Sequence, residues 1–408
     1  MLDFDKIRGD FPILASRIHG VPLVYLDNAA TTQVPSRVLD RLVRHYAQDN
    51  ANIHRGHHRL SEVSSCNYEL ARARIATFIG AGKPSEVVFT SGTTASVNLV
   101  ATAFARQFIR PGDEIVVSQL EHNSNFLPWQ RLCADKGARL RVVPHDDGEL
   151  RLEAYVEFLC EKTRIVAVTQ TSNLTGTVNP VREMVELAHS RGIPVLIDGA
   201  QAIRHEPTDV GELGCDFYCF SGHKMLAPAG IGVLFMRDEW QRRLEPPFLG
   251  GGTVTDVTED AVAYAAPPHA FEPGTPNYPG AIALAEAVDY MEDIGRREIA
   301  DREAALLTAI ESRVRRFSDA TVLGNPARRG GVVSFAFDGV HSYDLASTLD
   351  KFGVAVRSGN HCSHIAIRGF PVNAAVRASP AFYNTFEEIE RFGDALEKAL
   401  GLLHKWKR

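Results

Sequence analysis

Between residues 86 and 236, short β-branched apolar runs alternate with stretches whose apolar residues recur at helical spacing. The runs are Glu86–Thr90, Glu114–Ser118, Leu140–Val143, Arg164–Thr169, Pro194–Asp198, Cys215–Ser221 and Ile231–Met236. Strands separated by helices need right-handed crossovers, which build a mostly parallel sheet covered on both faces. The predicted class is α/β. After Met236 the pattern loosens into a Gly/Pro-rich stretch with Gly250-Gly251-Gly252 and Pro273-Gly274-Thr275-Pro276. A helical pattern follows from about Ala281 to Ile294, then strands near Gly331–Phe337 and Val354–Arg357. Thr385 and Glu388 have capping-box spacing, opening a helix whose apolar stripe is Ile389, Phe392, Leu396 and Leu400. The pattern predicts a large α/β domain over 20–270 and a smaller α+β unit formed by 1–19 with 271–408.

At 408 residues and 45% hydrophobic, the chain has material for more than one core. A net charge of -6 and no basic run before the terminal Lys405-Trp406-Lys407-Arg408 argue against a nucleic-acid partner. Charges at Asp3, Asp5, Lys6, Arg8 and Asp10 break up any leader-like apolar core, and no apolar stretch is long enough to span a bilayer. The expectation is a cytoplasmic protein with no membrane partner. The six cysteines are scattered without C-x-x-C pairs, so their spacing indicates neither a zinc site nor a disulfide framework.

In Phe89-Thr90-Ser91-Gly92-Thr93-Thr94 a strand runs through a glycine turn into a helix start, an arrangement that offers backbone N–H groups and hydroxyls to a phosphate. Alone, it reads equally well as a Ser/Thr helix cap. The run Pro194–Ile197 ends in Asp198, which places a carboxylate at the carboxyl end of a strand, where α/β proteins build sites. The next strand runs into Ser221-Gly222-His223-Lys224, bringing a lysine just past a neighbouring strand end. A buried lysine is costly unless paired or neutralised, and imine formation with an aldehyde neutralises it. Together the three features match the phosphate, ring nitrogen and aldehyde of pyridoxal phosphate. His122 alone reads as a loop histidine satisfied by backbone; in this company, stacking on the cofactor ring is favoured.

With Glu121-His122, Asp198-Gly199-Ala200-Gln201, Gly274-Thr275-Pro276-Asn277 and Arg357-Ser358-Gly359-Asn360-His361-Cys362, the chain resembles the cysteine desulfurases. The likeness is to their second group, the SufS and CsdA/selenocysteine lyase branch, from Asp10-Phe11-Pro12 to Tyr383-Asn384-Thr385. It implies a pyridoxal-phosphate transferase of fold type I that converts L-cysteine to L-alanine and passes sulfur to a SufE-like or SufU-like acceptor. Iron–sulfur cluster assembly is one such pathway. It further implies a homodimer, with Lys224 as the Schiff-base lysine, Asp198 as the ring-nitrogen partner, Gln201 on the ring hydroxyl and His122 as stacking base. Thr93, Thr94, Ser221 and His223 match the phosphate cradle, and Thr275 matches a residue that reaches the phosphate of the other subunit. Asn173 matches a residue near cofactor and substrate, and Arg377, with Arg357 nearby, the clamp on the substrate carboxylate.

Intracellular cysteines are more often small buried hydrophobes than nucleophiles, and Cys215 and Cys219 fit that description. Cys362 differs: Arg357, Asn360, His361 and His364 make a polar, electropositive setting that favours thiolate, with Gly359 and Gly369 bracketing a mobile loop. Two departures from the family pattern, Ser363-His364-Ile365-Ala366-Ile367 after the cysteine and Pro380 after Ser379, touch the substrate side. The rivals are a selenocysteine lyase, an aminotransferase or C–S lyase that ignores Cys362, and a non-catalytic sulfur carrier.

Overall fold

The computed structural model describes residues 3–405; of the basic terminus, Trp406, Lys407 and Arg408 lie outside the described residues. Seven strands form the central sheet: β1 (Val87–Thr90), β2 (Glu114–Ser118), β3 (Arg139–Val143), β4 (Thr163–Thr169), β5 (Val195–Asp198), β6 (Phe217–Ser221) and β7 (Gly232–Met236). Their order is β1-β7-β6-β5-β4-β2-β3. Only β7 runs antiparallel to its neighbours. The middle strands are buried along their whole length, which explains their uniform Val, Ile and Phe content. Register places Asp198 beside Thr169 on one side and Cys219 on the other. Thr169, Asp198 and Ser221, the last residues of β4, β5 and β6, therefore share one carboxyl edge.

Strand β6 begins two residues later than its apolar pattern suggests. The Asp216 carboxylate accepts the Val195 N–H and the Trp240 indole N–H, both at 2.8 Å, and forms a side-chain-tied turn ahead of the ladder. Seven helices matter here: α1 (Ser36–Arg44), α2 (Arg59–Phe78), α3 (Thr93–Gln107), α4 (Tyr278–Ile294), α5 (Arg296–Val314), α6 (Ser342–Lys351) and α7 (Phe386–Lys405). The start of α4 precedes Ala281 because Asn277 caps it, accepting the Gly280 N–H at 3.0 Å.

A four-stranded antiparallel sheet, β8 (Ala320–Val322), β9 (Val333–Phe337), β10 (Arg357–Gly359) and β11 (Ala375–Ala378), has the order β8-β9-β11-β10. Val333 and Phe335 pack with Leu345 of α6 and with Ile389, Phe392, Leu396 and Leu400 of α7. The α7 cap closes reciprocally: Glu388 N–H donates to Thr385 Oγ1 (3.1 Å) and Thr385 N–H to Glu388 Oε2 (3.0 Å). Phe11, Leu14, Leu284 and Val288 lie in the same apolar cluster as Val166 and Ile197 of the large sheet. Both the N-terminal segment and α4 are thus packed onto the larger layer.

Candidate active site

A cavity of about 330 Å³ opens at the carboxyl edge of the large sheet, walled on the far side by β10, the turn after it and β11. At the start of α3, the Thr93 N–H donates to Ser221 Oγ at 2.9 Å, and the Thr94 and Ser124 hydroxyls lie 2.7 Å apart. Gly232 is needed behind this cradle, since a Cβ there would stand 2.4 Å from the Gly92 Cα. Small residues thus let the helix start sit directly against β7, with its hydroxyls and dipole facing the cavity.

Asp198 is buried, and one carboxylate oxygen accepts the Ala200 N–H at 2.9 Å. Burial raises its pKa, while Lys224 opposes the rise. Burial lowers the pKa of Lys224, against the pull of Asp198. The two form the compensated pair expected of a lysine prepared to give up its proton. Burial, reinforced by Lys224, Arg377 and Arg357, pushes His122 down to about 3 and keeps it neutral. Its Nδ1 accepts the Ser124 N–H at 3.1 Å, which assigns the remaining proton to Nε2. His223 is likewise neutral, pushed down to about 4 by burial and then Lys224. Gln201 donates one amide hydrogen to the Ala29 carbonyl at 2.8 Å, leaving the second free.

Arg377 is 2% exposed. It donates to the Asn173 carbonyl at 2.9 Å and, more loosely, to Asp27 Oδ1 at 3.4 Å, while its Nε is buried without a partner. Burial pushes its pKa down to about 10. Arg357 stands directly opposite Arg377 in the β10–β11 register, so two guanidinium groups flank one wall with a single nearby carboxylate, Asp27. Such a pair is matched to an incoming carboxylate.

Cys362 is exposed at the tip of a turn in which both it (φ 56°) and His361 (φ 54°) are left-handed. Asn173 Nδ2 donates to the His361 carbonyl at 2.7 Å, and Asn173 Oδ1 accepts the Ser363 hydroxyl at 2.8 Å. The Cys362 carbonyl accepts the Asn123 N–H at 2.7 Å. The atypical Ser363 thus has a definite partner, and Asn173 grips the cysteine turn as well as lining the cavity.

Of the residues singled out in the sequence, Thr93, Thr94, His122, Asn173, Asp198, Gln201, Ser221, His223, Lys224, Arg357, Cys362 and Arg377 all line this one cavity, and Thr275 does not. Thr275 sits on an exposed loop held by the Gly274 N–H to the Gly251 carbonyl at 2.7 Å. Two expectations need correction. His361 adds no positive charge for a thiolate, because burial, reinforced by Arg377, pushes it down to about 3 even though its ring lies 3.0 Å from the Ala375 carbonyl. Gly369 is not a free hinge, because a Cβ there would stand 2.4 Å from the His145 ring. Asp27 is missed by the sequence reading, and Glu121 enters it only within the Glu121-His122 motif, with no role of its own. Asp27 follows the apolar Leu23–Leu26 run as Asp198 follows its strand, and the same rule finds it. Glu121 is buried and accepts the Thr169 N–H (2.9 Å) and the Asn125 amide (2.7 Å), tying the ends of β2 and β4 together next to His122.

The cavity offers a compensated amine, a buried carboxylate with one oxygen left over, and a cradle of hydroxyls and a helix start, which fit the aldehyde, ring nitrogen and phosphate of pyridoxal phosphate. The aminotransferase class-V family model matches residues 24–392. A cysteine desulfurase of Escherichia coli (strain IAI1) is 43% identical over 402 residues, covering 98% of each chain. One of Synechococcus elongatus is 43% identical over 397 residues; the match covers 97% of this chain and 63% of that relative's length. Among solved structures, the apo cysteine desulfurase of Thermococcus onnurineus superposes with TM-score 0.93 at 37% identity, covering 98% of this chain and 99% of that one. The E. coli cysteine desulfurase CsdA superposes with TM-score 0.91 at 33% identity, over 99% and 100% of the two chains. Whole-chain identity at this level, on a site that carries the pyridoxal-phosphate handles, means that the chain belongs to the class V aminotransferase family and, within it, to the group II cysteine desulfurases.

Proposed function

We propose that this chain takes sulfur from L-cysteine, releases L-alanine and holds the sulfur as a persulfide on Cys362 until an acceptor protein removes it. The observation that carries the proposal is an exposed cysteine on the wall of the cavity that also contains Lys224, Asp198 and Arg377. Thr93, Thr94, Ser221 and His223 would hold the cofactor phosphate, Asp198 the ring nitrogen and the free Gln201 amide hydrogen the ring hydroxyl. Bound pyridoxal phosphate supplies the electron sink that loosens bonds at the substrate's carbons.

Arg377 and Arg357 receive the substrate carboxylate and fix which bonds face Lys224 and Cys362. Lys224, its proton affinity lowered by burial, accepts the α-proton and returns a proton to the product. Neutral His122 would pack on the ring face of the bound cofactor, and it holds a proton at Nε2 that can pass to or from the thiol. The Cys362 thiolate attacks the substrate sulfur: a sulfur–sulfur bond forms, the carbon–sulfur bond breaks, and the bonding pair stays on carbon, which takes a proton to become the methyl group of alanine.

A homodimer completes the site, with Thr275 on its exposed loop reaching the phosphate held by a second copy. The segment 20–270 serves the cofactor, and the remainder presents the cysteine turn. A SufE-like or SufU-like protein in the cytoplasm is the acceptor. Among the described residues no helix is long and apolar enough to cross a membrane. The test is incubation of the cofactor-loaded protein with L-cysteine, followed by alanine quantification and peptide mass mapping of added sulfur. Sulfur on the Cys362 peptide, in step with alanine, is expected. Pyruvate and ammonia, or sulfur confined to the other cysteines, would overturn the proposal.

A further inference from the structure

Away from the cavity, three ligating side chains converge from separate segments. His54 precedes α2, Glu69 lies on it, and His269 belongs to the short helical turn His269–Phe271. One ligand atom from each lies within 4.8 Å of the others. His54 Nε2 is 3.3 Å from Glu69 Oε1, and the two imidazole centroids are 4.7 Å apart at 69°. We infer that His54, Glu69 and His269 form a divalent-cation site of the two-imidazole, one-carboxylate type, suited to zinc and left open at a further coordination position.

The surroundings are built around these side chains. Arg72 is 1% exposed and donates Nε to Glu69 Oε2 at 2.9 Å and, more loosely, Nη2 to Oε1 at 3.3 Å, which fixes the Glu69 carboxylate beside the imidazoles. Buried Glu272 takes both terminal nitrogens of Arg72, at 2.6 and 3.0 Å, and its Oε2 lies 4.0 Å from His269 Nδ1. The carboxylates of Glu69 and Glu272 against the single Arg72 leave one net negative charge beside two nitrogen ligands. A divalent cation reverses that sign only to a single positive charge. Carboxylates and an arginine that orient the ligands are the outer support that metal sites use. His54 is held at φ 72°, a left-handed conformation that a non-glycine residue adopts at a cost, with its N–H on Ser65 Oγ at 2.7 Å. Nitrogen and oxygen donors in this ratio favour zinc and accept cobalt or nickel as probes. An ion here would join the segment before α2 to the one that runs on to Thr275.

Equilibrium dialysis of the cofactor-loaded full chain against zinc ions, with cobalt substitution read by absorbance, tests the site. Wild type and Cys362→Ala are expected to bind one ion per chain, with cobalt bands of nitrogen and oxygen ligation and a zinc-dependent rise in thermal midpoint. His269→Ala and Glu69→Gln should weaken binding at least about tenfold and lose the thermal rise. The more exposed His54→Ala repeats the test should His269→Ala fail to fold. Wild-type protein that binds no zinc, ligand variants with undiminished affinity, or an equivalent lost in Cys362→Ala with thiolate-to-cobalt bands would each overturn the inference.

Discussion

Ser363→Ala removes one of the few contacts that keep Cys362 in place. The turn contains two left-handed non-glycine residues, His361 and Cys362, which together cost about 2–4 kcal/mol. Against this stand the Ser363 N–H to the Asn360 carbonyl at 2.9 Å, the Asn123 N–H to the Cys362 carbonyl at 2.7 Å, and the two Asn173 contacts at 2.7 and 2.8 Å. Each hydrogen bond contributes about 1 kcal/mol net, so the turn is close to balance. Losing the Ser363 hydroxyl costs about 1 kcal/mol, and more if the buried Asn173 Oδ1 finds no new donor. The docked-to-undocked ratio should fall roughly fivefold, at a tenfold change per about 1.4 kcal/mol, so that from near balance the docked population falls about threefold. Hydrogen exchange in the peptide spanning 359–369 should quicken. The kcat for alanine release should drop about threefold with little change in KM, because the carboxylate clamp is untouched. Exchange and kcat both at wild-type values would refute the argument.

Borohydride reduction of the wild-type protein should fix the pyridoxyl group on the Lys224 peptide alone; Lys224→Ala should show no fixed label and lose turnover, and label on another lysine would contradict the assignment. Thr275→Ala should weaken cofactor retention by about 1.5–3 kcal/mol, the worth of a hydrogen bond to a charged group, while kcat at saturating cofactor stays near wild type; unchanged cofactor dissociation would remove Thr275 from the phosphate site. His361, pushed down to about 3 by burial, carries fewer protons in the folded protein than the ordinary imidazole does between about 3 and 6.5. Its contribution is therefore present above pH 6.5 and lost on acidification, at up to about 1.4 kcal/mol per pH unit. His361→Gln should lose up to about 2 kcal/mol less than wild type between pH 7 and 5 in urea unfolding, and identical losses would contradict it.

Much of this was legible because the chemistry sits at strand ends. The β5 pattern leads straight to Asp198 and the β6 pattern to Ser221 and Lys224, because each uniformly buried apolar run gives way to polar residues at the carboxyl edge of the sheet. The Thr385–Glu388 cap was legible for the same local reason. What the sequence hid depends on contacts between distant segments. The neutral state of His361 comes from burial against β11, and the constraint on Gly369 from the His145 ring. The partner of Ser363 is Asn173, 190 residues away in the chain, and the His54, Glu69 and His269 cluster is equally non-local. Electropositive neighbours in sequence predict a charge that only tertiary packing decides.

The role of Cys362 rests most directly on Cys362→Ala, loaded with cofactor and given L-cysteine under reducing conditions while alanine is followed over time. The variant should give the wild-type change in cofactor absorbance on binding substrate, since Lys224, Asp198 and Arg377 are intact, yet release little or no alanine and, in a parallel run without reductant, carry no sulfur on any peptide. Alanine release at the wild-type rate would make Cys362 a bystander, and release from L-selenocysteine alone would assign the site to selenocysteine cleavage.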